Sequence, residues 1–283
     1  MDKLKSTVDK VFDGANIASY LKVSLGLSAS LVKKVKFGGV FINGENVHMR
    51  ASVHTGDTVE VFMPKEMSEN IKPCSMPLDI IYEDEYIIAV NKPPGMPTHP
   101  SKGNSLPTLA EGIMAKFSPK PFVFRAVNRL DRDTSGIVII AKDALTCARL
   151  SEQMKRGGFS KVYSAVLRGI PKKEHDVIDA PIEREAEGQM KRVVREDGKR
   201  AVTEYRVLKV LDNGNSLCEI TLYTGRTHQI RVHMAYIGHP LYADFLYGER
   251  IEGQNYLLHA KKITFKHPIT EEPLILESKA DFE

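Results

Sequence analysis

Residues 126–141 have the sequence AVNRLDRDTSGIVIIA. The last five residues are apolar and follow a polar, turn-forming stretch, which predicts a short buried strand. The charged residues from Arg129 to Asp133 then lie on a loop that this strand holds in place. Catalytic side chains often stand on loops carried by a rigid scaffold. This loop is therefore the first candidate site.

Asp131 is the residue of this loop with the clearest chemical use. An ionised carboxylate serves as nucleophile or general base without a cofactor, provided that a cation and a partly desolvated pocket hold it. Arg129 and Arg132 are cations close in sequence, but adjacent side chains often point apart, so the partner cation can come from a distant segment. A solvated turn, in which Asp133 makes only local hydrogen bonds, is an equally good interpretation from the residues alone.

A family resemblance favours the catalytic interpretation. Arg129-Leu130-Asp131, followed by Thr134-Ser135-Gly136 and an aliphatic strand, resembles the catalytic motif of the RluA-type pseudouridine synthases. The resemblance implies that Asp131 is catalytic, that Arg129 contacts the substrate, and that the reaction converts uridine to pseudouridine in structured RNA. The first position of the motif is commonly histidine in the family, and here it is Asn128.

Two apolar segments resemble family motifs that contact the target base. Tyr163 ends the Lys-x-Tyr motif of residues 161–163, and the resemblance implies that its ring stacks on a flipped uracil. Leu258 lies in the segment LLHA, residues 257–260, and is implied to pack against the same uracil ring. Without the family, an ordinary strand aromatic and an ordinary core leucine are the simpler interpretations.

Residues 224–233, TGRTHQIRVH, combine many donors and cations and lead into apolar residues at helical spacing. This pattern predicts a helix start that lines a polyanion pocket. The segment resembles a third family motif, and alignment of its basic position implies that Arg231 holds Asp131 in a bidentate pair. Arg226 is the alternative partner, or a phosphate contact. His228 and His233 lack a carboxylate motif, so no zinc site is expected.

The N-terminal part of the chain has the pattern of a separate module. We predict a small RNA-binding domain over residues 14–63, an exposed linker over residues 64–76 and a catalytic domain over residues 77–283. Two predicted helices are followed by the segments GGVFINGENV and HTGDTVEVF. This order resembles the RNA-binding domain shared by a ribosomal small-subunit protein and tyrosyl-tRNA synthetases. The candidate RNA contacts of this module are Lys33, Lys34 and Lys36. A solvated charge run is the alternative for these lysines.

Composition is that of an ordinary soluble protein with a mild preference for polyanions. The 283 residues are 42% hydrophobic and 27% charged, which excludes a disordered chain, and the formal net charge is +4. The three cysteines are far apart and lack metal-ligand spacing, which favours free thiols in a reducing compartment. Neither a signal peptide nor an apolar run of membrane-spanning length is found, so we expect a cytoplasmic protein without a membrane partner.

Together these patterns predict an α+β fold. The catalytic domain is expected to have a mixed, largely antiparallel sheet of pseudouridine synthase type, preceded by the small α/β RNA-binding domain. The resemblance implies that the enzyme cleaves the uridine glycosidic bond, rotates the uracil and reattaches it through carbon 5. Asp131 acts either as covalent nucleophile or as the base that drives a glycal intermediate. We expect a monomer without metal or other cofactor.

Structured RNA is the expected partner, and ribosomal RNA is favoured over transfer RNA because the N-terminal module suits large substrates. Three alternatives are a tRNA-directed synthase, a non-catalytic RNA-binding or ribosome-associated protein, and a different carboxylate enzyme such as a glycosidase. A glycosidase ordinarily needs a second, opposing carboxylate. Glu204 and Asp133 are nominal candidates, but neither lies in a recognisable acid motif.

Overall fold

The chain folds into a small N-terminal module and a larger sheet domain. The computed structural model describes residues 3–63, 71–101 and 105–283. The elements of the N-terminal module are β1 (Lys3–Thr7), a 3-10 helix (Lys10–Phe12), α1 (Ile17–Val23), α2 (Ala29–Val35), β2 (Val40–Ile42), β3 (Glu45–Asn46) and β4 (Thr58–Phe62). Its four strands form one sheet in the order β1-β4-β2-β3.

Capping residues and apolar spacing explain the two helices of the module. The side chain of Asn16 accepts a hydrogen bond from the Ala18 amide at 2.9 Å, and that of Ser28 accepts one from the Leu31 amide at 3.2 Å. Each cap satisfies a backbone donor that has no partner within its helix. The apolar faces of both helices are buried against the sheet.

The module begins earlier than predicted. Strand β1 pairs antiparallel with β4, so the predicted start at residue 14 is wrong. The sequence of β1, KLKST, contains one apolar residue among polar ones. It has no apolar run that would mark it as a strand, and only its edge position in the folded sheet explains its conformation.

The sheet domain contains the remaining elements. They are β5 (Asp79–Glu83), β6 (Ile87–Lys92), α3 (Leu109–Phe117), β7 (Ser135–Ala141), α4 (Ala144–Lys155), β8 (Ser160–Leu167), β9 (His175–Asp179), β10 (Ile182–Arg184), β11 (Arg192–Val194), β12 (Val202–Val210), β13 (Ser216–Leu222), α5 (Gln229–Tyr236), β14 (Leu258–Lys266) and β15 (Pro273–Glu277). None of the helices in the described ranges is long and apolar enough to span a bilayer.

The strand order confirms the predicted fold class. The main sheet has the order β5-β6-β7-β14-β8-β13-β12-β9, with β15 beside β14, while β10 and β11 form a separate hairpin. Within the described residues, β7 and β14 are the parallel neighbours and the other named strand pairs are antiparallel. The sheet is therefore mixed and largely antiparallel, as expected for this α+β protein.

Strand β7 is buried on both faces of the sheet. Because side chains alternate along a strand, Val138 and Ile140 face the core that contains α3 and α5. Ile137 and Ile139 face a second core on the other side, which includes Leu150 of α4. This double burial explains why the strand is a continuous apolar run rather than an alternating one.

The predicted linker, residues 64–76, is exposed over residues 72–75, but Ile71 is buried. Residues 64–70 lie outside the described residues. Ile71 is buried in the core of the sheet domain, and the Cys74 amide donates a hydrogen bond to the Glu111 carbonyl at 3.1 Å. The segment is therefore attached to the sheet domain at Ile71 and at the Cys74 amide. Its prolines and polar residues predicted exposure, but Ile71 supplies enough apolar surface to anchor it.

The N-terminal module contacts the sheet domain along α4. Leu145 is buried within the core of the module. The Arg149 guanidinium donates to the Leu25 carbonyl at 3.4 Å and to the Pro268 carbonyl at 2.9 Å, so it links main chain from both parts. An open groove of about 900 Å³ runs between α4 and the two helices of the module.

Candidate active site

Asn128 fixes the start of the candidate loop to β7. Its buried side-chain amide donates to the Ile137 carbonyl and accepts from the Ile139 amide, both at 2.9 Å. The side chain thus takes the place of a neighbouring strand residue. This is a structural role for the position at which the family commonly has histidine.

Substitution of Asn128 by alanine is expected to lower the free energy of unfolding by about 1–3 kcal/mol, because two buried backbone groups of β7 lose their partner. The measurement is urea unfolding followed by circular dichroism. Asn213→Ala, in an exposed turn, is the control and should change stability by less than about 0.5 kcal/mol. Equal effects of the two substitutions would contradict this role of Asn128.

Two buried side chains hold the backbone on either side of Asp131. The Thr98 hydroxyl donates to the Leu130 carbonyl at 2.8 Å. Lys92 is fully buried and donates to three carbonyl oxygens. These acceptors belong to Pro93, Met96 and Arg132, at 2.9, 2.8 and 3.0 Å. Burial lowers the pKa of Lys92 to about 7, against the charges of Asp133 and Asp131. The loop is thereby fixed where its carboxylate projects.

The Asp131 carboxylate is one-third exposed and faces a guanidinium and an imidazole. Its Oδ2 lies 3.7 Å from Arg231 Nη1 and 3.8 Å from His228 Nε2. Within the described ranges, these are the basic groups inside the 4.0 Å ion-pair distance of the carboxylate. Arg231 and Asp131, which the sequence placed together, are therefore neighbours. Arg226 is exposed and instead donates from Nε to the Arg200 carbonyl at 3.0 Å.

The bidentate pair expected between Arg231 and Asp131 is formed with Asp244 instead. Arg231 Nε and Nη2 each donate to one Asp244 oxygen at 2.8 Å. The two side chains are 4% and 0% exposed, so this is a buried ion pair. Burial opposes the charge of Arg231, but hydrogen bonding to Asp244 raises the pKa of the guanidinium above its ordinary value. Only Nη1 remains directed at Asp131.

Aromatic rings enclose the Arg231 guanidinium. Its Cζ lies 4.4 Å from the ring centre of Tyr256, 5.0 Å from that of Tyr247 and 5.7 Å from that of Phe245. Such cation–π contacts stabilise a desolvated guanidinium. The rings and Asp244 together leave the side chain little freedom to move away from Asp131.

His228 reaches Asp131 because its backbone is left-handed, with φ 57°. This conformation is uncommon for a residue with a side chain and costs about 1 kcal/mol or more. The imidazole Nδ1 lies 2.8 Å from the Tyr247 hydroxyl, which orients the ring. Burial lowers the pKa of His228, whereas the Asp131 charge opposes that shift. In the described residues, no three His, Cys, Asp or Glu side chains group as metal ligands.

Tyr163 and Leu258 form apolar walls beside the carboxylate loop. They lie on the neighbouring strands β8 and β14, where Tyr163 is opposite Ala260. Both side chains are nearly buried, in the same core as Leu130 of the loop. Burial, and then the charge of Asp131, raise the pKa of the Tyr163 hydroxyl. The structure thus brings Asp131, Arg231, Tyr163 and Leu258 to one cleft.

The other predicted substrate contacts lie apart from this cluster. Arg129 is exposed and makes no hydrogen bond or ion pair with the residues that the structure describes. Lys33 and Lys34 occupy the last turn of α2, and Lys36 ends that helix. Lys34 lines the groove beside α4. Helix α4 packs on the sheet face opposite the core that contains Tyr163. The lysines beside α4 therefore do not reach the cleft.

Four important side chains of the cleft were not foreseen from sequence. Lys92 is the last residue of β6, and its burial is a property of the fold. His228 was considered only as a zinc ligand. Asp244 and Tyr247 lie in an irregular segment after α5, where a high density of aromatic residues between 242 and 256 was the available signal.

Comparison with known proteins points to the same region of the chain. Residues 86–236, which include the carboxylate loop and α5, match the family described as RNA pseudouridylate synthase. The chain is 40% identical over 254 residues to the RNA pseudouridine synthase YjbO of Bacillus subtilis, covering 88% of this chain and 89% of the relative.

Two further relatives extend the comparison to function and fold. The chain is 34% identical over 257 residues to the ribosomal large subunit pseudouridine synthase D of Xanthomonas campestris, covering 85% of this chain and 77% of the relative. The solved structure of human RNA pseudouridylate synthase domain containing 1 superposes with a TM-score of 0.62 at 27% identity, covering 75% of this chain and 88% of that chain.

Proposed function

We propose, from the premise that this chain belongs to the RluA-type family of RNA pseudouridine synthases, that it modifies uridines of large-subunit ribosomal RNA and that Asp131 is its catalytic carboxylate. The protein is an isomerase that acts on RNA. The observation that carries the proposal is the position of Asp131. Its partly exposed carboxylate lies within 4.0 Å of the Arg231 guanidinium and the His228 imidazole, next to buried Tyr163 and Leu258.

The isomerisation needs an ionised group beside the ribose. The bond between uracil N1 and ribose C1′ breaks, the uracil turns, and a bond between C5 and C1′ forms. The proton on C5 is lost and N1 gains a proton, so the product has the composition of the substrate. Asp131 either adds to C1′ as nucleophile or removes a ribose proton to give a glycal. Both routes require an ionised carboxylate, and the Arg231 guanidinium lies 3.7 Å from it.

The apolar walls suit a uracil taken out of its RNA stack. Extrusion of a base costs a few kcal/mol, and stacking on an aromatic ring returns about 1–3 kcal/mol. We assign the ring contact to Tyr163 and the opposing aliphatic contact to Leu258. Arg129 and Arg226, both exposed, are assigned to the RNA backbone outside the cleft. A pocket of this kind retains the detached base until it is rejoined.

Large-subunit ribosomal RNA is proposed because the relative from Xanthomonas campestris is named for that substrate and aligns over 85% of this chain. The test is incubation of the purified protein with transcripts that contain 5-tritiated uridine, since the C5 hydrogen is released during the reaction. Tritium release from large-subunit rRNA, and not from tRNA transcripts, is the expected result. Release from tRNA alone would contradict the substrate, and no release from either would contradict the function.

The three lysines of the N-terminal module are proposed to bind the RNA backbone. Simultaneous replacement of Lys33, Lys34 and Lys36 by alanine is expected to weaken RNA binding because backbone contacts release counterions. The slope of log affinity against log salt should fall by about 2, at roughly 0.7 for each lost contact. The measurement is a filter-binding titration at several salt concentrations.

The matched control removes three exposed lysines elsewhere, which are Lys172, Lys209 and Lys279. Both triple variants lose the same net charge, so a difference between them reports location. An equal change of slope in the two variants would remove α2 from the RNA-binding surface.

A further inference from the structure

Lys161 is a nearly buried cation that the proposed mechanism does not use. It lies on β8, two residues before Tyr163. The residue is 9% exposed. Its ammonium makes no hydrogen bond with the residues that the structure describes, and no carboxylate of those residues lies within 4.0 Å of it.

The ammonium nevertheless remains accessible at the cleft. Arg192 Nε is the side-chain atom of the described residues that is both fully buried and without a hydrogen-bond partner. Lys161 Nζ also has no partner but is not in this class, so it retains some contact with solvent. A Cβ built on Gly225 would lie 3.5 Å from Nζ. Gly225 belongs to the loop between β13 and α5 that also carries His228. Lys161 therefore opens beside the loop that lines the active site.

An unpaired ammonium in this position is unfavourable in the free protein. Burial disfavours the charged form and lowers the pKa of Lys161. Such a cost is removed when an opposite charge enters the site and forms a charge-assisted hydrogen bond. A neutral uracil oxygen would compensate the charge only in part. The matching group in an RNA substrate is the phosphate, which is anionic and present at every nucleotide.

The proximity of Lys161 to Tyr163 on β8 limits which phosphate it can reach. Residues two apart on a strand are separated by about 7 Å. We propose that Lys161 binds an RNA phosphate adjacent to the flipped uridine, and so anchors the nucleotide while its base is detached. This inference rests on the proposed function and adds a phosphate site to it.

The test is a charge-removal cycle between protein and RNA. The protein variant is Lys161→Met, which retains length without charge, and Lys161→Arg is the charge-retaining control. The RNA is the shortest large-subunit transcript that the wild-type protein modifies, with each phosphate next to the modified uridine replaced in turn by a neutral methylphosphonate. KM, kcat and RNA affinity are measured for every combination.

Lys161→Met is expected to raise KM about 10- to 100-fold on native RNA, with a much smaller change in kcat, because one charge-assisted hydrogen bond is lost. One methylphosphonate should produce the same loss in the wild-type protein and no further loss in Lys161→Met. Lys161→Arg should retain most of the affinity. The wild-type protein with modified RNA shows which phosphate is contacted, independently of how Lys161→Met folds.

Additive losses at every phosphate position would overturn the inference while leaving the enzyme active. A wild-type protein that forms no pseudouridine in any transcript would instead refute the proposed function, and the phosphate site would be refuted with it. The two failures are therefore distinguishable.

Discussion

Replacement of Asp131 by asparagine is expected to reduce pseudouridine formation by about 10⁴-fold or more, the range seen when the reacting group of an enzyme is removed. Asparagine has the shape of aspartate but is neither a nucleophile nor a base at C1′ or the ribose. RNA affinity should change little, because Asp131 is one small group in a large RNA interface. The measurements are tritium release in single-turnover reactions and RNA binding by filter retention.

Asp176→Asn is the control for Asp131→Asn, because Asp176 is an aspartate on β9 of the same sheet whose side chain is 40% exposed. It should leave both activity and binding unchanged. Retention of activity by Asp131→Asn would contradict the catalytic role. A loss of binding as large as the loss of activity would mean that Asp131 acts in RNA recognition rather than in chemistry.

Replacement of Asp244 by alanine is the second substitution with a large expected effect. It leaves the Arg231 guanidinium buried without its bidentate partner. Removal of one member of a buried ion pair costs about 3–5 kcal/mol of stability. Activity should fall together with stability, because Arg231 Nη1 is held beside Asp131 by the same contact. Urea unfolding measures the first effect and tritium release the second.

Two variants separate position from stability in the Asp244 experiment. Asp244→Asn retains a hydrogen-bond acceptor and should be less destabilising than alanine. Asp176→Ala breaks an exposed pair with Lys173 and should cost no more than about 1 kcal/mol. If Asp244→Ala were as stable and as active as Asp176→Ala, Asp244 would not be the residue that positions Arg231.

Sequence patterns predicted those parts of the fold in which local residues determine local structure. Strand β7 is apolar because both of its faces are buried, and the capped helices carry apolar stripes. Strand β1 was missed because it lies at an edge and has an almost wholly polar sequence. The segment around Ile71 has the composition of a linker, but a single apolar side chain anchors it to the core.

The candidate site was predictable where the family motifs contain the residues. Asp131, Tyr163, Arg231 and Leu258 were chosen from motifs that lie far apart in the chain, and the fold brings them together. The partner of Arg231 was not predictable. Asp244 follows Ala243, whose left-handed backbone (φ 61°) turns the irregular segment after α5 into the core. A pairing made by tertiary structure leaves no spacing pattern in the sequence.

The central claim is that Asp131 forms pseudouridine in large-subunit ribosomal RNA, and its most direct test is chemical mapping of pseudouridine in total RNA. Cells that lack the gene are compared with the same cells that carry either the wild-type gene or the Asp131→Asn variant. We predict at least one large-subunit rRNA site that is lost in the deletion, restored by the wild-type gene and not restored by the variant. Restoration by Asp131→Asn, or an unchanged map in the deletion, would contradict the claim.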